Sequence, residues 1–360
     1  MVIYIHGSFM NDNFGDYLIF NKLEEEIKNI APQSSTIYAN LDRSYNKYNK
    51  VEVENIYKAI RKADMIVLAG GGYLGEPDYR KWYWSINFLK EHAMPFIYIM
   101  LSGKRYAILG TGVGPVSCML PRKIIKKIID RASLVSVRDI ESKQYIEKWG
   151  IKRVINVIPD WVMTYDKKKL VCTENSTIYL LNKKRDEGYT IVLIHITTIR
   201  NAKSRNIIFQ CLNKFIENRK NIFFVVSPDQ GNKKQYQRAC NNAKLLPKEI
   251  TEIISYNNPW ELSSIINTVD VVITDKLHVG VVATRLYKKV ISVPAHSKTK
   301  RFHKQVNNSN CILLDELNDC KFMELLNSAF TNEVDCENID KIVMNASDNI
   351  EVLKEFIFTR

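Results

Sequence analysis

Short apolar runs, each stopped by glycine or charge and followed by helical periodicity, constrain this chain more than any other feature. Val2–His6 is such a run. Behind it, Asp16–Ile30 carries Leu18, Ile19, Leu23, Ile27 and Ile30 at the spacing of one helix face. Met65–Ala69 ends in glycines, Tyr106–Leu109 ends at Gly110, and Leu134–Val137 ends at Arg138. Strands alternating with helices imply parallel sheets. Ligands of open parallel sheets sit beyond the carboxyl ends of the strands. His6–Asp16, Gly70–Gly75, Gly110–Pro115 and Arg138–Asp139 are therefore expected on one rim.

The pattern weakens over Tyr165–Tyr189, which is polar and rich in Lys, Asn and Asp, and then restarts. Ile191–Ile196, Ile222–Val226, Val271–Thr274 and Lys289–Val293 read as strands. Helices are expected near Arg205–Glu217, Lys233–Lys244, Trp260–Asn267 and Val279–Leu286. The tail spaces Ile339, Ile342, Val343, Ala346, Ile350, Leu353 and Ile357 as one amphipathic final helix. With 360 residues, the chain is long enough for two cores. The simplest architecture is α/β: two Rossmann-like domains, 1–170 and 171–330, facing one another across a cleft, followed by a C-terminal helix at 331–360.

The net charge is +13, from 52 Lys and Arg against 39 Asp and Glu. Residues 316–360 hold ten acids and four bases, so the surplus lies entirely in 1–315. A surplus of this kind suggests an anionic partner. It forms no single block, which argues against a disordered basic arm, and no nucleic-acid-binding motif accompanies it. Seven cysteines are scattered without a CxxC pair, as expected of reduced thiols in a cytoplasmic protein. No signal peptide is expected, and the longest apolar run, Met94–Leu101, is too short to span a bilayer.

Chemistry-bearing residues collect at the expected strand ends. Gly70–Gly75 reads GGGYLG. It formally fits a dinucleotide fingerprint, but it follows the wrong strand for one; an anion-cradling turn and a plain tight turn remain open. Gly110–Pro115 reads GTGVGP, a sharp strand-to-helix turn or a close backbone approach. Asp16, behind Asn13-Phe14-Gly15, is either a helix cap or, with Asn13, a hydrogen-bonding pair for a hydroxylated substrate. Arg138, next to Asp139, either meets an anion or forms an internal ion pair. Asp275-Lys276-Leu277-His278 puts Lys276 and His278 at a strand end beside a helix N-terminus, and Lys298 follows the next strand. Eight bases and two acids lie between Asp270 and Lys304. No HExxH, DxD or GxSxG motif supports a metallohydrolase or serine hydrolase.

Together these motifs resemble the polysaccharide pyruvyl transferase family from Val2 to about Phe302. The resemblance rests on Asn13–Asp16, Gly70-Gly71-Gly72 with Leu74, and Gly110–Pro115. Ser136–Asp139 with Ser142, Pro159-Asp160, and Lys276-Leu277-His278 followed by Lys298 complete it. It implies a GT-B-like fold whose last helix crosses back onto the N-terminal domain. It also implies a transferase that moves pyruvate from phosphoenolpyruvate onto a sugar as a cyclic ketal, with neither metal nor cofactor. By the same resemblance, Arg138, His278 and Lys298 form the catalytic core. Lys276 (where the family often has Arg), Leu277, Gly71 and Gly72 complete the donor site, on the side of 171–330. Asn13 and Asp16 face the acceptor, a sugar or lipid-linked oligosaccharide of cell-surface polysaccharide biosynthesis. The alternative is a GT-B glycosyltransferase using a nucleotide sugar. A cytoplasmic location is expected, and the positive charge would suit contact with an anionic leaflet.

Overall fold

The computed structural model describes residues 1–8, 13–39, 52–77, 80–171, 174–229 and 233–359. The chain divides into two compact units, Met1–Thr164 with Val343–Arg360, and Tyr165–Ile342.

Among the described residues, the first unit has eight strands: β1 (Val2–His6), β2 (Ser35–Ala39), β3 (Glu52–Glu54), β4 (Met65–Leu68), β5 (Gly71–Leu74), β6 (Arg105–Val113), β7 (Leu134–Val137) and β8 (Asn156–Val157). They pair in parallel in the order β3-β2-β1-β4-β6-β7-β8, with β5 also on β6. The central strands are apolar because helices cover both faces. All four residues of β4 and all four of β7 are buried. The helix Met119–Arg131 shows how sequence chooses the covering face. Ile124, Ile125, Ile128 and Ile129 turn inward, while Lys123 and Lys127 stay exposed.

The glycines depart from expectation. Gly71–Leu74 is a strand rather than a turn, and β6 does not stop at Gly110 but continues to Val113. Gly110 sits at φ +67°, within a register shift between β6 and β7, so this is a bulge inside a strand.

The tail also differs. It forms two helices, Cys336–Ala346 and Asp348–Phe358, where the periodicity suggested one. Buried Asn349 donates to the carbonyls of Ala346 (3.0 Å) and Pro159 (2.8 Å). It thereby satisfies a carbonyl left over at the first helix's end. The second helix lies on the first unit. Leu353, Phe356 and Ile357 are buried there, and Arg105 donates to the Phe356 carbonyl at 3.0 Å.

The second unit is a five-stranded parallel sheet of β9 (Thr190–His195), β10 (Ile222–Val226), β11 (Thr251–Ile253), β12 (Val271–Thr274) and β13 (Lys289–Ser292), ordered β11-β10-β9-β12-β13. Its core joins Ile194, Phe209, Leu212, Phe224, Ile273, Ile291, Phe322 and Leu326. No helix among the described residues is long and apolar enough to cross a membrane.

Candidate functional site

In the first unit the expected rim forms only in part, since Gly110 lies inside β6, Gly71–Leu74 is a strand, and residues 9–12 lie outside the described residues. β1, β4, β6 and β7 are neighbours, and they run parallel, so their carboxyl ends share an edge. Asn13 caps the helix Phe14–Ile30, its Oδ1 accepting from Gly15 N at 3.0 Å, which leaves Asp16 in the first turn. Both are half-buried. Gly71 lies beside Asp16: a Cβ on Gly71, whose φ is +119°, would be 3.8 Å from Asp16 Oδ1.

Arg138, just past β7, is buried. Its Nη1 donates to Asp160 Oδ2 at 3.3 Å, and its Nε lies 3.8 Å from Asp139 Oδ2. Of the two readings open at this position, the internal ion pair is present. The guanidinium lies against Gly112 so closely that a Cβ there would be 2.7 Å from Nη2. The carboxylates have work of their own. Asp139 Oδ1 accepts from Ser142 N and from Ser142 Oγ, both at 2.7 Å, and Asp160 Oδ1 accepts from Val162 N at 3.0 Å. Ser142 Oγ in turn accepts from Val113 N at 2.9 Å, and Ser136 Oγ accepts from Gly110 N at 2.9 Å. Much of the polar signature here is thus a buried framework tying β6, β7 and the following helix together.

The same edge holds a buried cluster that sequence reasoning missed. His6 Nδ1 bonds the Tyr4 hydroxyl at 2.9 Å, and His6 Nε2 bonds His92 Nδ1 at 3.0 Å. Tyr73 stacks on His92 with ring centroids 4.8 Å apart. Burial, and then the neighbouring His92, hold His6 well below the ordinary histidine range; burial takes His92 down to about 4. His92 reaches inward because its segment, Leu89–Ala93, is a π-turn, which a 3.6-residue pattern does not foresee.

In the second unit, β12 and β13 are adjacent and parallel; β12 leads after two residues into the helix Leu277–Arg285, and β13 after four into Ser297–Gln305. Two helix N-termini therefore lie at neighbouring strand ends, each presenting unsatisfied N–H groups. Lys276 is the residue before the first helix, and Lys298 is in the first turn of the second. Of the nine residues of Leu277–Arg285, all but His278 are buried. The sequence DKLH thus anchors a helix by Leu277 and leaves His278 half-buried at its start.

Asp275 is consumed by the fold. Its carboxylate accepts from the backbone N–H groups of Thr197 (3.0 Å), Thr198 (2.6 Å) and Ile199 (3.0 Å), and from Thr198 Oγ1 (2.7 Å). Lys276 Nζ pairs with Asp229, which follows β10. His195, at the end of β9, was also missed, since it reads as one more strand residue. It is fully buried, its Nδ1 3.3 Å from Ser227 Oγ. Burial lowers its pKa, while Asp229 and Asp275 act in the opposite direction. On the second of these helices, buried His303 accepts at Nδ1 from Asn308 Nδ2 at 3.1 Å, leaving Nε2 to donate to Ser292 Oγ at 2.7 Å. Among the described residues, no three His, Cys, Asp or Glu side chains gather into a set that could hold a metal ion.

Comparison with known proteins fits this arrangement. A sequence model of the polysaccharide pyruvyl transferase family matches residues 13–297. No curated protein sequence matches the chain. Among solved structures, a protein from Listeria monocytogenes described as a UDP-N-acetylglucosamine 2-epimerase superposes with a TM-score of 0.69 at 12% identity, covering 100% of this chain and 97% of that one. The UDP-GlcNAc 2-epimerase from Methanocaldococcus jannaschii gives 0.66 at 15% identity, with 99% of each chain covered. HepE from Anabaena, solved with UDP-glucose, gives 0.61 at 13% identity, covering 99% of this chain and 98% of that one. At such identities the likeness is one of fold, the GT-B-like pair of Rossmann-like units.

Proposed function

The chain belongs to the polysaccharide pyruvyl transferase family, and from that premise we propose that it transfers pyruvate from phosphoenolpyruvate to a sugar as a cyclic ketal. One observation carries the reading furthest. Lys276, His278 and Lys298 gather at two adjacent helix N-termini on the carboxyl edge of β12 and β13. Phosphoenolpyruvate carries roughly three negative charges near neutral pH, and cations beside convergent backbone N–H groups are what such a ligand needs.

In this reading Lys298 holds the phosphate, and Lys276 and the N–H groups from Leu277 onward support it. His278 is the general acid that protonates the methylene carbon. A sugar hydroxyl adds to the cationic carbon so formed. Phosphate leaves, and a second hydroxyl closes the ketal. One hydroxyl proton is balanced by the new methyl hydrogen, and the other leaves on phosphate. Arg138 is assigned to the donor's carboxylate or phosphate by the family resemblance, and its contact with Asp139 Oδ2, at 3.8 Å, is longer than that with Asp160 Oδ2, at 3.3 Å. Gly71 and Gly72 contribute backbone to the donor. Asn13 and Asp16 bind the acceptor, a sugar or lipid-linked oligosaccharide, with Asp16 as the candidate base. No metal or organic cofactor enters these steps.

The test is phosphate release from phosphoenolpyruvate in the presence of a glycan acceptor. His278→Ala is expected to lower turnover by about 100-fold or more, and full turnover would remove His278 from the chemistry. Arg138→Lys keeps the charge but loses the fork; unchanged donor affinity in that variant would end its assigned role. The UDP-glucose complex of HepE favours a second reading, a glycosyltransferase using a nucleotide sugar. Titration separates the two: tight binding of a nucleoside diphosphate and none of phosphoenolpyruvate selects the second.

A further inference from the structure

The segment Lys81–Leu101 is one helical rod, an α-helix to Phe88, the π-turn Leu89–Ala93, and an α-helix from Met94. At 1.5 Å per residue it is about 30 Å long. Its inner face is well occupied: Ser85, Phe88, His92, Phe96 and Ile99 are buried in the first unit. Its outer face is not polar, as a solvated helix face should be. Trp82 is 80% exposed and Leu101 76%, and Tyr83, Ile86 and Met94 are exposed between them.

Charge says what the ribbon meets. The rod packs against the helices Met119–Arg131 and Ile56–Lys62. On these three helices Glu91 and Asp130 are the exposed acids, and the exposed bases outnumber them. Lys90 lies within the ribbon. Lys123 and Lys127 project from the neighbouring helix, where Met119 and Leu120 add further exposed apolar surface. Trp and Tyr prefer the headgroup level of a bilayer, and lysines beside them can extend to lipid phosphates while their stems stay in apolar surroundings. A second copy of the chain on a two-fold axis would instead set these lysines against one another.

We propose that the outer face of Lys81–Leu101, with Lys123 and Lys127 beside it, is a docking surface for an anionic lipid leaflet. It seats the first unit on a membrane without spanning it. The proposal does not depend on the donor being phosphoenolpyruvate, since none of these residues belongs to the candidate site.

The experiment is co-sedimentation of the full chain with phosphatidylcholine vesicles, with and without phosphatidylglycerol. The protein is expected to pellet with the anionic vesicles, and less so as salt is added. Replacing both Trp82 and Leu101 by Ser, or both Lys123 and Lys127 by Glu, should each weaken the partition by about tenfold. All four side chains are exposed, so circular dichroism and the urea midpoint should stay as in the parent protein. Failure of the parent to pellet with anionic vesicles overturns the proposal, as does equal pelleting of the Trp82/Leu101 variant. Sedimentation velocity supplies the third outcome: a concentration-dependent dimer abolished by Trp82→Ser would assign the face to self-association instead.

Discussion

Arg138 and the glycines around it show how a single side chain can be held by what its neighbours lack. A Cβ on Gly112 would fall 2.7 to 2.9 Å from three atoms of the guanidinium, so Gly112→Ala must displace it from Asp139 and Asp160. We expect a loss of about 1–3 kcal/mol in urea unfolding. If Arg138 serves the donor, weaker phosphoenolpyruvate binding by calorimetry should accompany that loss. Gly110→Ala should be worse. Its Cβ would meet the Trp161 ring at 2.5 Å, and φ +67° adds the strain of a left-handed backbone. Equal stability of the two variants would refute this ranking. The pair also separates two effects: a lost Arg138 contact acts on ligand binding and stability together, whereas Gly110→Ala acts through the fold.

At the level of elements, buried Asn349 makes the sharpest prediction. Asn349→Leu fills similar volume but leaves the carbonyls of Ala346 and Pro159 without their donors, for a loss of about 1–3 kcal/mol. A urea midpoint equal to that of the parent would mean the helix break at Ser347 needs no such bond. The same residue explains what the sequence could show. Apolar spacing over Ile339–Ile357 correctly revealed a helical tail, because periodicity reports which face is buried. It could not reveal the break, which depends on one polar side chain reaching Pro159, 190 residues away. The DKLH turn was legible because a strand end, a helix start, a lysine and a histidine occur within a few residues. Gly71–Leu74 was not, since glycine has low strand propensity and β5 exists through its pairing with β6. His92 and His195 were invisible for a related reason: their partners, His6 and Ser227, come from distant parts of the sequence, and His6 was expected only as a rim residue, without its bonds to Tyr4 and His92.

Across the whole molecule, those histidines tie stability to pH. His6 and His92 lie in the first unit and His195 and His303 in the second; all are buried, and burial depresses the pKa of each. His92 and His303 are brought down to about 4. In the unfolded chain these groups titrate near 6.5, so between about pH 6.5 and 4 the unfolded state binds protons that the folded state refuses. Stability therefore rises with pH across that window and is lost on acidification below 6.5, up to about 3 kcal/mol for each of His92 and His303. Carboxylates paired with bases act the same way only at lower pH, so the onset above pH 5 belongs to the histidines. Urea midpoints taken from pH 7.5 down to 5 should show the fall, and salt should change it little because the groups are buried. His303→Gln can still bond Ser292 but carries no proton to titrate. That variant should flatten the slope below pH 6.5 by the share of one histidine, while a slope unchanged from the parent would place the proton uptake elsewhere. With four such groups divided between two units, acid weakens both cores in the same window, and neither unit should serve as a stable remnant at pH 5.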